Sequence, residues 1–174
     1  MSKLDRLKER LPDYAKDLRI NLGAISSSTA LAPAQAWGIA VTSAITARNH
    51  ELVEAIEADA AAHLSRDAIN AARGAASIMG MNNVYYRFLH YMGEASEYGH
   101  MPARLRMQLI GNPGIERLDF ELECLAASAI NGCEMCVRSH EKVVRDRGGT
   151  MEMVQETVRI ASVVHAAAVT LEAA

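Results

Sequence analysis

Apolar positions along the chain recur every three to four residues and nowhere alternate with polar ones over the length of a strand, which is the pattern of an all-α protein. Leu4, Leu7 and Leu11 mark a short amphipathic turn or two. Pro12 then opens a second helix carrying Tyr14, Leu18 and Leu22, at a place where its missing N–H would be unbonded anyway. After the polar run Ser26-Ser27-Ser28-Thr29, Pro33 starts a helix through Trp37, Val41 and Ile45 to about Arg48. Another begins at or after Asn49 and carries Leu52, Val53 and Ile56. Ser65 is suited to N-cap the next helix, with Asp67 in its first turn and Ala72, Ala76 and Met79 along it.

From Asn82 to Tyr91 the chain is rich in rings, which are expected to pack into the core or an interface rather than to stack on a ligand. Asn112-Pro113-Gly114 reads as a turn closing a helix from Leu105 to Ile110. Asp119 is read as the cap of a helix through Leu122, Leu125 and Ala129. That helix ends at Asn131-Gly132, a pair suited to a left-handed residue. The following helix begins at once and runs to Gly148-Gly149. Thr150 caps the last one, whose Val154, Val158 and Ala161 form one stripe up to Ala168.

Two short matches recur at one offset: Ser43-Ala44-Ile45 as Ser128-Ala129-Ile130 (128 − 43 = 85) and Ala76-Ser77 as Ala161-Ser162 (161 − 76 = 85). The expectation is one helical domain over 1–174 with two related halves, roughly 30–95 and 115–174. In that alignment Cys133 and Cys136 fall opposite Arg48 and Glu51, so only the second half carries the thiols. The matches are short and alanine-rich, and coincidence is the competing reading.

Composition narrows the class. Half of the 174 residues are hydrophobic, enough for a core without covalent staples. The formal charge is −3 with no basic block, so neither nucleic acid nor anionic lipid is an expected partner. Three cysteines, only two of them close together, argue against a disulfide framework and for a reducing compartment. The first ten residues alternate charge with leucine and lack the apolar stretch of a secretory signal. No apolar run reaches the length of a membrane span. The expected location is cytoplasmic.

The chemistry concentrates in Asn131-Gly132-Cys133-Glu134-Met135-Cys136-Val137-Arg138-Ser139-His140. On a helix, two cysteines three apart and a histidine four beyond the second share one face. A thiolate is the reactive form, and free amides at a helix N-terminus favour it. One cysteine can attack and the other can close the disulfide. Cys133 is nearer the helix start, while Cys136 is the helical partner of His140; Cys136 is the favoured attacker and Cys133 the resolving thiol. The bland alternative is two buried apolar thiols.

Glu121, twelve residues before Cys133, can fold back toward this stripe and hold the His140 imidazole in one tautomer; a solvated surface glutamate is the competing reading. Cys124 reads as a small buried hydrophobe and His165 as structural. Cys133, Cys136 and His140 could supply three zinc ligands, with Glu121 or a distant histidine as the fourth. No second CxxC or HxxxH accompanies them, so no metal is expected.

Ile110-Gly111-Asn112-Pro113-Gly114-Ile115, then Phe120-Glu121-Leu122, then Ser128 through Cys133 with Cys136 and His140 closely resemble the alkyl hydroperoxide reductase D (AhpD) family of the carboxymuconolactone decarboxylase-like group. Met79 through Val84 and Tyr14-Ala15-Lys16-Asp17 extend the resemblance over nearly the whole chain. It implies an AhpD-like all-helical fold of two related halves, a homotrimer, and an antioxidant peroxidase reducing organic hydroperoxides with no bound cofactor. The second cysteine, Cys136, would meet the peroxide and become a sulfenic acid, with Cys133 condensing onto it. Glu121 and His140 would form the proton relay. The implied reductant is a dihydrolipoyl group on the acyltransferase of a 2-oxoacid dehydrogenase complex, recharged by lipoamide dehydrogenase, with a peroxiredoxin of the alkyl hydroperoxide reductase C type as a further partner. The best-known members have a histidine immediately before the second cysteine, where this chain has Met135. That departure leaves the proton work to Glu121 and His140. The alternatives to a peroxidase are a general reductase of protein or lipoyl disulfides and a helical protein with structural zinc.

Overall fold

The computed structural model describes residues 1–93 and 95–173, and among these all regular structure is helical: α1 (Lys3–Glu9), α2 (Lys16–Gly23), α3 (Pro33–Ala47), α4 (His50–Ala60), α5 (Arg66–Met92), α6 (Gln108–Gly111), α7 (Arg117–Ile130), α8 (Glu134–Asp146) and α9 (Met151–Ala173). Helix starts follow the capping residues in the sequence. Asn49, Ser65 and Thr150 each accept a backbone N–H three positions on, at 2.8, 3.1 and 3.2 Å. Each such cap is worth about 1 kcal/mol.

The centre of the molecule is α3, in which every residue from Ala36 to Ala44 is buried. A helix apolar all round must lie inside, and α3 packs on α4, α5, α7 and α9. Its small residues allow close approach: a Cβ at Gly38 would come within 2.5 Å of Glu123 Oε1 on α7. Leu22, Ile39, Leu52, Ile56, Leu122 and Ile160 fill the main core around it. Each contributes roughly 1.5–3 kcal/mol by leaving water. A second apolar cluster, Ala71, Ala75, Met79, Phe120, Cys124 and Ala127, lies between α5 and α7. Among the described residues no helix is long and apolar enough to cross a membrane.

The helices α3, α4, α5 and α7, α8, α9 follow one another with the same order and similar spacing. At the first corner of each run a left-handed residue, Arg48 (φ 66°) or Gly132 (φ 67°), immediately precedes the residue capping the next helix, Asn49 or Cys133. Cys133 and Asn49 thus hold the same N-cap position after a left-handed residue, one place off the 85-residue offset, which sets Cys133 opposite Arg48. One residue fewer separates Ile130 from its left-handed stop than separates Ile45 from its own.

Several local expectations are corrected. Pro12 leads into a 3-10 turn, Asp13–Ala15, and Tyr14 is 76% exposed. The proposed helix from Leu105 to Ile110 shrinks to the single turn of α6. Asp119 does not cap α7, which starts two residues earlier; its Oδ1 instead accepts from Gln35 Nε2 at 2.7 Å. His165, expected to be structural, faces outward. The ring-rich segment continues α5 without a break, and its Phe88 and Tyr91 stay out of the core.

Candidate active site

The site forms where α7 stops and α8 starts. Asn131 ends α7, Gly132 turns the chain through a left-handed conformation, and the Cys133 N–H donates to the Ser128 carbonyl at 3.1 Å. Gly132 serves because a side chain there would strain the backbone. Cys133 becomes the N-cap of α8 and Cys136 lies in its first turn, with Cα atoms 5.3 Å apart and the sulfurs bonded as a disulfide. Unpaired amides in that turn give a positive end beside both sulfurs.

One turn further, His140 points inward. Its Nδ1 lies 2.6 Å from Glu121 Oε2. Its Nε2 lies 3.2 Å from Met79 Sδ. Glu121 is only 1% exposed, which removes the reading of a solvated surface glutamate. Arg117, one turn before it on α7, donates from Nε to Glu121 Oε1 at 2.6 Å and from Nη1 to the Ile110 carbonyl. Burial pulls the Glu121 carboxyl upward. The hydrogen bond and charge of His140, then the charge and hydrogen bond of Arg117, outweigh burial and hold it below the ordinary carboxylate range. Glu121 is therefore an ionised acceptor for the His140 N–H.

The corner is braced from α5. Asn83 donates to Ser128 Oγ at 3.0 Å and accepts from Asn131 Nδ2 at 2.9 Å, while Arg87 donates to the Asn131 carbonyl at 2.5 Å. Ser128 Oγ in turn reaches Met79 Sδ at 3.5 Å. The turn carrying Cys133 and the sulfur facing His140 thus belong to one polar network.

A cavity of about 360 Å³ opens onto Cys136, Glu121 and His140, with Tyr86, Met107, Ile110, Met135 and Val143 making its apolar wall. Met135, 42% exposed, stands on that wall. A recess of about 440 Å³ near the N-terminus, beside Trp37 and His63, contains no thiol. Cys124 is fully buried; burial, then the Glu121 and Glu123 charges, push its thiol well up, which suits an inert packing group. Among the described residues no three His, Cys, Asp or Glu side chains converge as a metal site.

Residues that sequence reasoning singled out, Glu121, Cys133, Cys136 and His140, come together here. It passed over Arg117 and Met79. The spacing of Arg117 four positions before Glu121 was a readable signal. Met79 had none, because its partner is 61 residues away.

Residues 96–174 match the carboxymuconolactone decarboxylase family. The chain is 53% identical to alkyl hydroperoxide reductase AhpD of Rhodospirillum centenum, over 98% of this chain and 91% of that one. It is 56% identical to the protein of the same name from Gluconacetobacter diazotrophicus, over 98% and 93%. A third of that name, from Methylocella silvestris, is 52% identical over 98% and 96%.

Proposed function

The chain belongs to the AhpD family within the carboxymuconolactone decarboxylase group, and from that premise we propose that it is a thiol peroxidase reducing organic hydroperoxides. The Cys136 thiolate attacks the terminal peroxide oxygen, the O–O bond breaks, and the alkoxide leaves as alcohol with a proton relayed through His140 and Glu121. The Cys133 thiol then displaces water from the Cys136 sulfenic acid and closes the disulfide. An external dihydrolipoyl group, on the acyltransferase of a 2-oxoacid dehydrogenase complex, returns the pair to dithiols and is oxidised in its place. Lipoamide dehydrogenase recharges it, and a peroxiredoxin is a second thiol partner.

The observation that carries this reading is a bridging cysteine pair beside the buried, hydrogen-bonded Glu121–His140 pair, all opening on one cavity. The apolar wall suits an organic tail. Neither metal nor organic cofactor is assigned a role. The enzyme is expected in the cytoplasm, where reductants keep such thiols cycling, and as a homotrimer.

Turnover of cumene hydroperoxide with dihydrolipoamide tests it. Activity is expected to vanish in Cys133→Ser and Cys136→Ser and to fall about 100-fold in His140→Ala. Full activity in both serine variants would end the proposal. Faster reduction of insulin disulfides than of peroxide would move the assignment to a general disulfide reductase.

A further inference from the structure

We propose that Arg117 is a positioning residue of the proton relay: its guanidinium clamps the Glu121 carboxylate so that Oε2 is presented to His140 and to no other donor. The inference rests on the peroxidase reading above and adds a residue to it.

Arg117 occupies a place that local helix physics disfavours. It is the first residue of α7, where the backbone dipole repels a cation, and it precedes its glutamate partner in the weaker of the two orders along a helix. A residue that breaks a local preference has its reason in tertiary structure. Here Nε and Nη2 grip a single carboxylate oxygen, Oε1, at 2.6 and 2.5 Å, while Nη1 is tied to the Ile110 carbonyl. The fork is held at both ends, by α7 on one side and by α6 on the other. Glu121 Oε1 is thereby committed, and Oε2 is left 2.6 Å from His140 Nδ1. With Nδ1 engaged, Nε2 is the nitrogen directed away from Glu121, at Met79 Sδ.

The guanidinium also supplies charge where Glu121 is cut off from water. The side chain of Arg117 is 27% exposed against 1% for Glu121. The charged or titratable groups facing Glu121 are Arg117 and the Cys124 thiol on its own helix and His140 on α8. Arg117 is the permanent cation of that set. Without it, His140 is the one partner left to hold the Glu121 charge against burial, and the carboxylate loses the clamp that fixes which oxygen faces the imidazole. Lysine at this position would keep a point charge and lose the fork.

The test uses the full-length protein. In Arg117→Gln, kcat/KM for cumene hydroperoxide is expected to fall about 10- to 100-fold at neutral pH, and its acid limb to move upward. Arg117→Lys should recover part of that loss. In a Glu121→Gln background the same substitution should change kcat/KM by less than about 2-fold, as expected for residues acting through one another. A readout independent of activity is ¹³C NMR of the Glu121 carboxyl, assigned by the loss of its signal in Glu121→Gln. Its protonation is expected to shift about one pH unit higher in Arg117→Gln. Should Arg117→Gln not fold by circular dichroism, Arg117→Lys carries the same comparison with a smaller shift. An unmoved carboxyl titration, or losses that multiply in the double variant, would overturn the assignment. An inactive wild-type enzyme would sink the peroxidase reading and leave the carboxyl titration to decide Arg117.

Discussion

Glu121 and Glu123 stand two positions apart on α7, are both buried, and sit in opposite ionisation regimes. Glu121 has a histidine and an arginine and stays charged. Glu123 faces the Gly38 side of α3, and its Oε2 makes no hydrogen bond among the described residues. Burial, and then the nearby charge of Asp119, push its carboxyl well above the ordinary value of 4.5. The two contribute to stability with opposite sign. A carboxyl raised in the folded state favours folding below the unfolded value of 4.5, and that contribution is lost as pH rises above it, at about 1.4 kcal/mol per pH unit. A depressed one, Glu121, contributes above the unfolded value and loses its contribution as pH falls toward and through its folded value. Denaturant titrations at pH 5 and pH 8 are therefore expected to show stability falling with pH in the wild type. Glu123→Gln should flatten that fall. An unchanged pH dependence would show that Glu123 finds a charged partner in solution.

At the scale of elements, the α7–α8 corner and the corner between α3 and α4 offer a direct comparison. Both turn on a left-handed residue, but one is glycine and the other arginine. Nothing lies within 4 Å of a Cβ at Gly132, so the cost of a side chain there is backbone strain alone. Gly132→Ala is expected to cost about 1–2 kcal/mol. It should also slow disulfide closure, because the same corner sets the approach of Cys133 to Cys136. Arg48→Gly should work the other way, stabilising by about 0.5 kcal/mol once the added freedom of the unfolded chain is set against the relieved strain. Thermal melts of the two variants check both signs. Equal shifts in one direction would mean that the corners are not governed by left-handed strain.

Over the whole molecule, α5 has two roles on its two sides. Inward, Met79 and Asn83 support the site. Outward, Val84, Phe88, Tyr91 and Met92 lie on one stripe at helical spacing and are 42–74% exposed, with exposed Tyr98 and Met101 further along the chain. An exposed apolar stripe of this kind is suited to contact with another chain. In the proposed trimer it would be covered by a neighbouring copy. Phe88→Glu combined with Tyr91→Glu is expected to lower the mass measured by sedimentation equilibrium to that of one chain, about 19 kDa. A trimer that survives both charges would place the interface elsewhere.

What the amino-acid order determined by itself was local and periodic. The helical class, the capping roles of Ser65 and Thr150, the left-handed turn at Gly132 and the grouping of Cys133, Cys136 and His140 all depend on residues within a few positions of one another, where spacing and side-chain type suffice. Tertiary structure alone decided whether Glu121 was solvated or buried, that Met79 meets His140, that Arg117 grips Glu121 and Ile110 at once, and that Phe88 and Tyr91 of α5 face outward while Tyr86 lines the cavity. Those outcomes depend on how helices cross and how closely α3, α5, α7 and α8 approach. Side chains 19 and 61 residues apart, as in the two contacts of His140, leave no mark in the local pattern of the chain.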